Sequence, residues 1–252
     1  VYKMKKSKKC YLALIVVLFI TLVMPNENTP STPVAFAEKG NSYLIKDSDR
    51  PPHNVVGKLL EGNVYGTGFV IGDNTVLTNK HVAKKMKVNS SVFKLGLNGG
   101  NHGKKLLGEY IVTGMKYPPN VHDDVAILTV RSKNGSLPLS KVVKPANIAN
   151  ANFINKDWMK TEQNNLHIAG YPGNRNTNMM WGSSGHLLDY AFKSDRIFVA
   201  DFDGYPGSSG SPVFDSQNQV IGIHNSDYGT DSGRTGGFLF KDDLYEFIVN
   251  NR

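Results

Sequence analysis

The stretch Pro206-Gly207-Ser208-Ser209-Gly210-Ser211-Pro212-Val213-Phe214 decides how the chain is read, together with the apolar run Val220-Ile221-Gly222-Ile223 that follows it. Glycine on either side of the serine pair lets the backbone turn sharply ahead of an apolar strand, so the Ser209 hydroxyl can face outward. The same turn can aim the backbone N–H groups of Gly207 and Ser209 at one point. Donors converging in that way hold the oxyanion formed when a nucleophile attacks a carbonyl. A serine is a weak nucleophile until a base removes its proton, so the reading demands a histidine and an acid elsewhere.

Both are present. Thr78-Asn79-Lys80-His81-Val82 stands at the end of an apolar strand, where a histidine can point into a cleft. His122-Asp123-Asp124-Val125-Ala126-Ile127-Leu128 places an acid directly before a buried-looking strand. In a Ser–His–Asp triad the histidine takes the serine proton and returns it to the leaving amine. The aspartate fixes the imidazole tautomer and stabilises the imidazolium. His81, Asp124 and Ser209 follow the chain order His, Asp, Ser known from one class of such triads. Asp123 and His122 compete for the acid's place. A second string, Gly182-Ser183-Ser184-Gly185, shows that Gly-x-Ser-Gly alone is a weak signal.

Composition sets the frame for these residues. The 252 residues are 40% hydrophobic and 20% charged, which suits one large globular domain or two small ones. Residues 1–37 read as a secretory leader, separate from the fold. Lys5, Lys6, Lys8 and Lys9 form a basic head, Tyr11 to Met24 is apolar except for Thr21, and Ala35-Phe36-Ala37 is a small-x-small cleavage site. Cleavage is expected between Ala37 and Glu38. The apolar run of about 14 residues is short of the roughly 17–25 that a spanning helix needs.

Cys10, the one cysteine, precedes that run, so the exported chain is expected to fold without disulfides, as a bacterial secreted protein would. The leader carries five lysines and one acid. Beyond it 24 basic and 20 acidic residues remain, and the net charge falls from +8 to +4. No basic stripe with interleaved aromatics points to nucleic acid. Lys84, Lys85 and Lys87 read as a solvated surface. The seven histidines are scattered without a His-Glu-x-x-His, so neither a metal nor another cofactor is expected.

Short runs with strand character fall at 55–60, 68–71, 75–77, 92–97, 110–112, 125–130, 166–169, 186–188, 197–202, 212–214, 220–223 and 237–240. Glycine, asparagine, aspartate and proline separate nearly all of them. Such spacing predicts antiparallel β structure of the barrel or sandwich class. Residues 38–53 are polar, and Pro51-Pro52 argues against a regular element there. A single helical turn is expected at 82–86 and a closing helix at 242–250, with acids in its first turn. The stretch 142–152 reads as a linker between halves. No internal repeat is found.

Thr67-Gly68-Phe69-Val70-Ile71, 78–82, 124–128, Ala169-Gly170-Tyr171-Pro172-Gly173, and 207–214 followed by 220–224 together resemble the staphylococcal glutamyl endopeptidases, exfoliative toxins and Spl proteases. The similarity runs over about residues 43–250. It implies an all-β fold of two antiparallel six-stranded barrels of chymotrypsin type with a C-terminal helix. The division would be an N-terminal extension at 38–54, a first barrel at 55–145 carrying His81 and Asp124, and a second at 146–252 carrying Ser209. The Asp-Val-Ala-Ile register favours Asp124 as the acid. Pro212-Val213-Phe214 favours Ser209 over Ser184, which reads as a hairpin-turn residue. The expected activity is that of a secreted, monomeric serine endopeptidase and virulence factor acting on protein or peptide substrates. No stable membrane association is expected once the leader is removed.

The resemblance also bears on specificity. Related glutamyl enzymes read a substrate glutamate with a histidine on the strand after the nucleophile, a hydroxyl residue before it, and the mature α-amino group. His224 matches the histidine, with Asn225 beside it in the expected substrate site; a structural histidine bonded to backbone is the alternative. Gly204 stands where the hydroxyl residue would be, and Tyr205 is the neighbour that could substitute. Asp227 near the pocket wall would repel a glutamate if it pointed inward. Pro206 departs from the Gly-Gly pattern of the glutamyl enzymes and is similar to the toxins and Spl proteases. That implies narrow activity and leaves the state of the resting oxyanion hole open. Glu38-Lys39-Gly40 resembles the Spl start, and 44–50 resembles the glutamyl enzymes. The rivals are a binding protein or toxin on the same fold and a hydrolase of small esters.

Overall fold

The computed structural model describes residues 42–100, 103–133, 135–225 and 234–252. The leader, its cut after Ala37, the start at Glu38 and Asp227 lie outside the described residues. In chain order the strands are β1 (Ser42–Leu44), β2 (Val56–Glu61), β3 (Val64–Val70), β4 (Thr75–Thr78), β5 (Val92–Leu95), β6 (Asn98–Gly100), β7 (Gly103–Lys105) and β8 (Gly108–Lys116). They continue with β9 (Ala126–Lys133), β10 (Leu166–Gly170), β11 (Trp181–Gly185), β12 (Leu187–Ala191), β13 (Ser194–Ala200), β14 (Pro212–Phe214), β15 (Val220–Asn225) and β16 (Thr235–Leu239). The helices are α1 (Lys80–Ala83), α2 (Leu139–Val142) and α3 (Asp242–Asn250).

β2, β3, β4, β9, β8 and β5 close a barrel in that order. Val, Leu and Phe side chains alternate inward along them, so that Val56, Leu59, Phe69, Leu77, Phe93 and Leu128 are fully buried. β4 pairs antiparallel with β9, Thr78 opposite Ala126. The end of β4 and the start of β9 therefore meet at one rim of the barrel, and the residues just outside both strands become neighbours.

The second half is an eight-stranded sheet in the order β1-β11-β10-β14-β15-β16-β13-β12. It differs from the closed six-stranded barrel expected. β11 and β12 are two halves of one strand bent at His186, whose backbone N–H and Nδ1 both meet the Asp201 carboxylate. The sheet thus curls into a half-barrel around Ile168, Phe198, Phe202, Val213, Ile221 and Leu239. β1 adds an outer strand in a segment whose composition argued against one, with Ser42 opposite Ser183 and Leu44 opposite Trp181.

Ser184 is a strand residue of β11, not a hairpin-turn residue. The small residues around it serve packing. A Cβ on Gly182 would lie 2.5 Å from the Tyr43 ring, and one on Gly185 would lie 2.5 Å from Asp201 Oδ1. α1 begins two residues before the expected turn, and α3 matches its expected span, burying Leu244 and Ile248. The 142–152 stretch crosses between the halves, with Ala146 N–H on Val70, Ile148 bridged to Val220 and Ala151 N–H on Phe240. Among the described residues no helix is long and apolar enough to cross a membrane.

A histidine pair is packed where the entry to the first barrel meets the second sheet. His167 stacks on Phe214 at 4.9 Å between centroids, and His53 lies edge-on to His167 at 5.7 Å. Burial lowers the pKa of both, that of His167 to about 4 with a smaller push from His53, while Asp47 opposes the fall at His53. An unfolded histidine titrates near 6.5, so between about pH 6.5 and 4 the unfolded chain binds more protons than the folded one. Stability is then complete above about pH 6.5 and falls as the pH drops toward 4. His167→Phe keeps a ring on Phe214 and cannot titrate. Its melting temperature should fall less than the wild type's across that window; an equal fall would place the acid sensitivity elsewhere.

Candidate active site

His81 lies in the first turn of α1, three residues past the end of β4, and Asp124 lies two residues before β9. The pairing of those strands brings them together. His81 Nδ1 is 2.6 Å from Asp124 Oδ2, and the His81 backbone N–H donates to Asp124 Oδ1 at 2.8 Å. Asn225 Nδ2 adds a third bond to the same carboxylate, at 2.9 Å to Oδ2, and Asn79 Nδ2 holds the Asp124 carbonyl at 2.9 Å. A ring that donates Nδ1–H to this carboxylate carries the lone pair of its neutral form on Nε2. The side chains of His81 and Asp124 are 29% and 18% exposed, so the ring is open to a reactant while its partner is largely covered.

The rival acids are placed elsewhere. Asp123 is buried and pairs with Arg196 Nη1 at 2.8 Å; Arg196 also reaches Asp243. Burial raises the Asp123 pKa, with Arg196 opposing. His122 is exposed and its backbone N–H bonds to Asn120.

Ser209 sits in a bend with Gly207 at φ +101° and Gly210 at φ +94°, backbone that only glycine adopts readily. The space is as restrictive as the torsions. A Cβ on Gly207 would run into the Tyr65 ring and the Tyr171 carbonyl, and one on Gly210 into the Thr67 carbonyl. Within the bend, Ser208 Oγ donates to the Tyr205 carbonyl at 2.7 Å, and Ser211 Oγ donates to the Ser208 carbonyl at 2.7 Å. The bend is tied to β15 by Gly210 N–H to the His224 carbonyl and His224 N–H to the Ser211 carbonyl.

The first barrel holds the same bend through Thr67. Its N–H donates to the Ser209 carbonyl at 2.9 Å, its hydroxyl donates to the Gly207 carbonyl at 2.9 Å, and Tyr171 N–H donates to that hydroxyl at 3.1 Å. The Thr67 carbonyl accepts from Thr78 Oγ1 at 2.7 Å, and Thr78 leads into the His81 turn. Thr67 entered the sequence reading only as part of a family-like string. Its role comes from three long-range bonds, for which a single sequence carries no signal.

His224 is fully buried, and neither ring nitrogen has a hydrogen-bond partner. Desolvation lowers its pKa to about 3, so the ring is neutral at neutral pH. Gly204 lies against it: a Cβ there would collide with His224 Nε2. Tyr205, half-buried, gives its backbone to Ser208, and the Asn225 amide is on Asp124. Among the described residues, no group of three or more His, Cys, Asp or Glu is placed to hold a metal.

Comparison with known proteins gives the family. Residues 66–223 match the trypsin-like peptidase domain. The chain is 32% identical over 237 residues to a glutamyl endopeptidase of Staphylococcus epidermidis, covering 91% of this chain and 78% of that protein. It is 31% identical over 187 residues to exfoliative toxin A of Staphylococcus aureus, covering 72% and 63%. The solved structure of a Glu endopeptidase in complex with MPD superposes with a TM-score of 0.67 at 20% identity, over 85% of this chain and 98% of that one. On the family match and the identity across nearly its whole length, the chain belongs to the trypsin-like peptidases, as a serine endopeptidase similar to the staphylococcal glutamyl endopeptidases.

Proposed function

We propose that Ser209 is the nucleophile, His81 the general base and acid, and Asp124 the acid that orients it, in a peptidase of narrow specificity that cuts after glutamate. The observation that carries the triad is the Asp124 carboxylate holding both the ring and the backbone N–H of His81. In the proposed reaction Nε2 of His81 takes the Ser209 proton as Oγ attacks the scissile carbonyl. The imidazolium is stabilised by Asp124 and then protonates the leaving amine. Water, deprotonated by the same ring, releases the acyl group.

Gly207 and Ser209 N–H would hold the oxyanion. The Pro206 carbonyl accepts from Gly173 N–H at 2.8 Å, and the Gly207 carbonyl from Thr67. In a trans peptide the N–H points opposite the preceding C=O, so a Pro206 carbonyl turned to Gly173 directs Gly207 N–H to the other side. This supports an oxyanion hole that is formed at rest. Glutamate preference is supported by the buried His224 ring and by the names of the relatives.

The proposal includes a leader at 1–37 directing secretion from a bacterium, an N-terminal extension at 38–54, catalytic halves at 55–145 and 146–252, and a monomeric enzyme. A diverse peptide library incubated with protein starting at Glu38, with every cut bond read by mass spectrometry, tests the activity. Cuts should vanish in Ser209→Ala, and kcat should fall about 10⁴-fold in Asp124→Asn. Cuts that persist in Ser209→Ala would remove Ser209 from the mechanism. Absence of a glutamate advantage before the scissile bond would end the specificity reading alone.

Thr67→Val removes the hydroxyl that holds the Gly207 carbonyl while keeping the side-chain shape. It should lower kcat about tenfold with KM little changed, less than the 10²–10³ lost on deleting an oxyanion donor outright. Thr67→Ser should restore the rate. Equal kcat in Thr67→Val and the wild type would show that the hydroxyl does not position the bend.

A further inference from the structure

Lys58 on β2 is a charged side chain that the fold buries without an opposite charge. It is 4% exposed, and burial lowers its pKa, with Lys94 adding to the fall. Lys94, beside it on β5, has the Glu109 carboxylate at 3.4 Å. Among the described residues no carboxylate pairs with Lys58. Its Nζ donates to the Thr177 carbonyl at 2.8 Å and sits 4.4 Å from the centroid of the Tyr65 ring. An ammonium held only by a carbonyl and a ring face lowers stability relative to an apolar side chain of similar length. Its presence therefore calls for a reason other than stability.

Both contacts of Lys58 lead to the same peptide. β2 pairs with β3 with Lys58 opposite Thr67, so Lys58, Thr67 and Tyr65 stand on one face of the sheet. The Tyr65 ring covers Gly207, where a Cβ would lie 2.4 Å from Tyr65 Cε2. The Tyr65 hydroxyl covers Gly173, where a Cβ would lie 2.7 Å from that oxygen and 2.8 Å from the Pro206 carbonyl oxygen. Gly173 N–H in turn donates to the Pro206 carbonyl at 2.8 Å. One tyrosine thus packs at both ends of the Pro206–Gly207 peptide. Thr177, which Lys58 binds, lies with Gly173 in the 171–180 connection between β10 and β11. Glycine at 207 offers little torsional resistance to rotation of this peptide, so the resistance has to come from packing.

We infer that Lys58 is a positioning residue for peptide hydrolysis: its ammonium holds the Tyr65 ring and the 171–180 connection against the Pro206–Gly207 peptide and so fixes the direction of the Gly207 N–H. The inference rests on the proposed oxyanion role of that N–H and adds the residues that keep it in place. The cation–π contact orients the ring, and the bond to Thr177 holds the connection that carries Gly173. Lys58 itself touches neither the bend nor a substrate.

The test measures kcat, KM and melting temperature for the wild type, Lys58→Met and Lys58→Arg on the best-cut library peptide. Alongside these it measures the affinity of the matching peptide aldehyde, whose adduct with Ser209 places an oxyanion at the Gly207 N–H. Lys58→Met should lower kcat about tenfold, less than the 10²–10³ lost on deleting an oxyanion donor, and weaken the aldehyde by a similar factor. KM should stay within about twofold, and the protein should melt no lower than the wild type. Lys58→Arg keeps a cation and a donor and should restore kcat to within about threefold. Tyr65→Leu should reproduce the fall in kcat with the lysine intact, and Tyr65→Phe should not. Unchanged kcat and aldehyde affinity in Lys58→Met overturn the inference, as does a loss confined to KM. A Lys58→Met protein that melts lower or fails to fold also overturns it, because the lysine would then be structural. So does unchanged kcat in Tyr65→Leu, whether or not Lys58→Met folds. These results leave the endopeptidase standing, provided the wild type cuts and Ser209→Ala does not. If the wild type cuts no peptide in a Ser209-dependent way, the reading of Ser209 fails and the role of Lys58 with it.

Discussion

The two halves of the molecule meet through Thr67, and the geometry of the reactive bend depends on that meeting. One β3 residue donates to the carbonyls of Ser209 and Gly207, accepts from Tyr171 and is itself held by Thr78. Each backbone hydrogen bond contributes on the order of 1 kcal/mol net, so their larger effect is geometric. They set the orientation of the 207–208 and 209–210 peptide planes of the bend, which belongs to the other half. Gly210 allows this approach, since any side chain there would strike the Thr67 carbonyl. The His81 turn shares the anchor through Thr78, so the His81–Asp124 pair and the bend are referenced to the same residue.

Much of this was legible in the sequence. The meeting of His81 with Asp124 and the sharp bend at Ser209 follow local patterns: a strand end, a strand start, a glycine turn. Segments whose character is set by distant neighbours do not. The glycines and serines of β11 look like a turn, yet they lie in a strand because Tyr43 and Phe202 press on it. β1 has too few apolar residues to announce itself and gains its structure from the β11 ladder. Thr67 and Thr235 are ordinary strand threonines until their partners, or the lack of them, are seen in three dimensions.

Adjacent carboxylates show how placement sorts residues that sequence left in competition. Asp123 and Asp124 are chemically identical and one bond apart in the chain. Asp123 turns into the protein toward Arg196 and becomes part of the contact between the 120–123 turn, β13 and α3. Asp124 turns toward α1 and meets His81. Ala126 opposite Thr78 leaves Asp124 level with the His81 turn.

Packed imidazoles differ in their surroundings as well. The half-buried His53–His167 pair packs against Phe214, and His53 Nε2 is covered there without a hydrogen-bond partner. His224 is buried as completely as any core residue, but its neighbour is an unbonded hydroxyl and its wall a glycine. A folding chain selected only for stability would fill such a spot with valine and alanine.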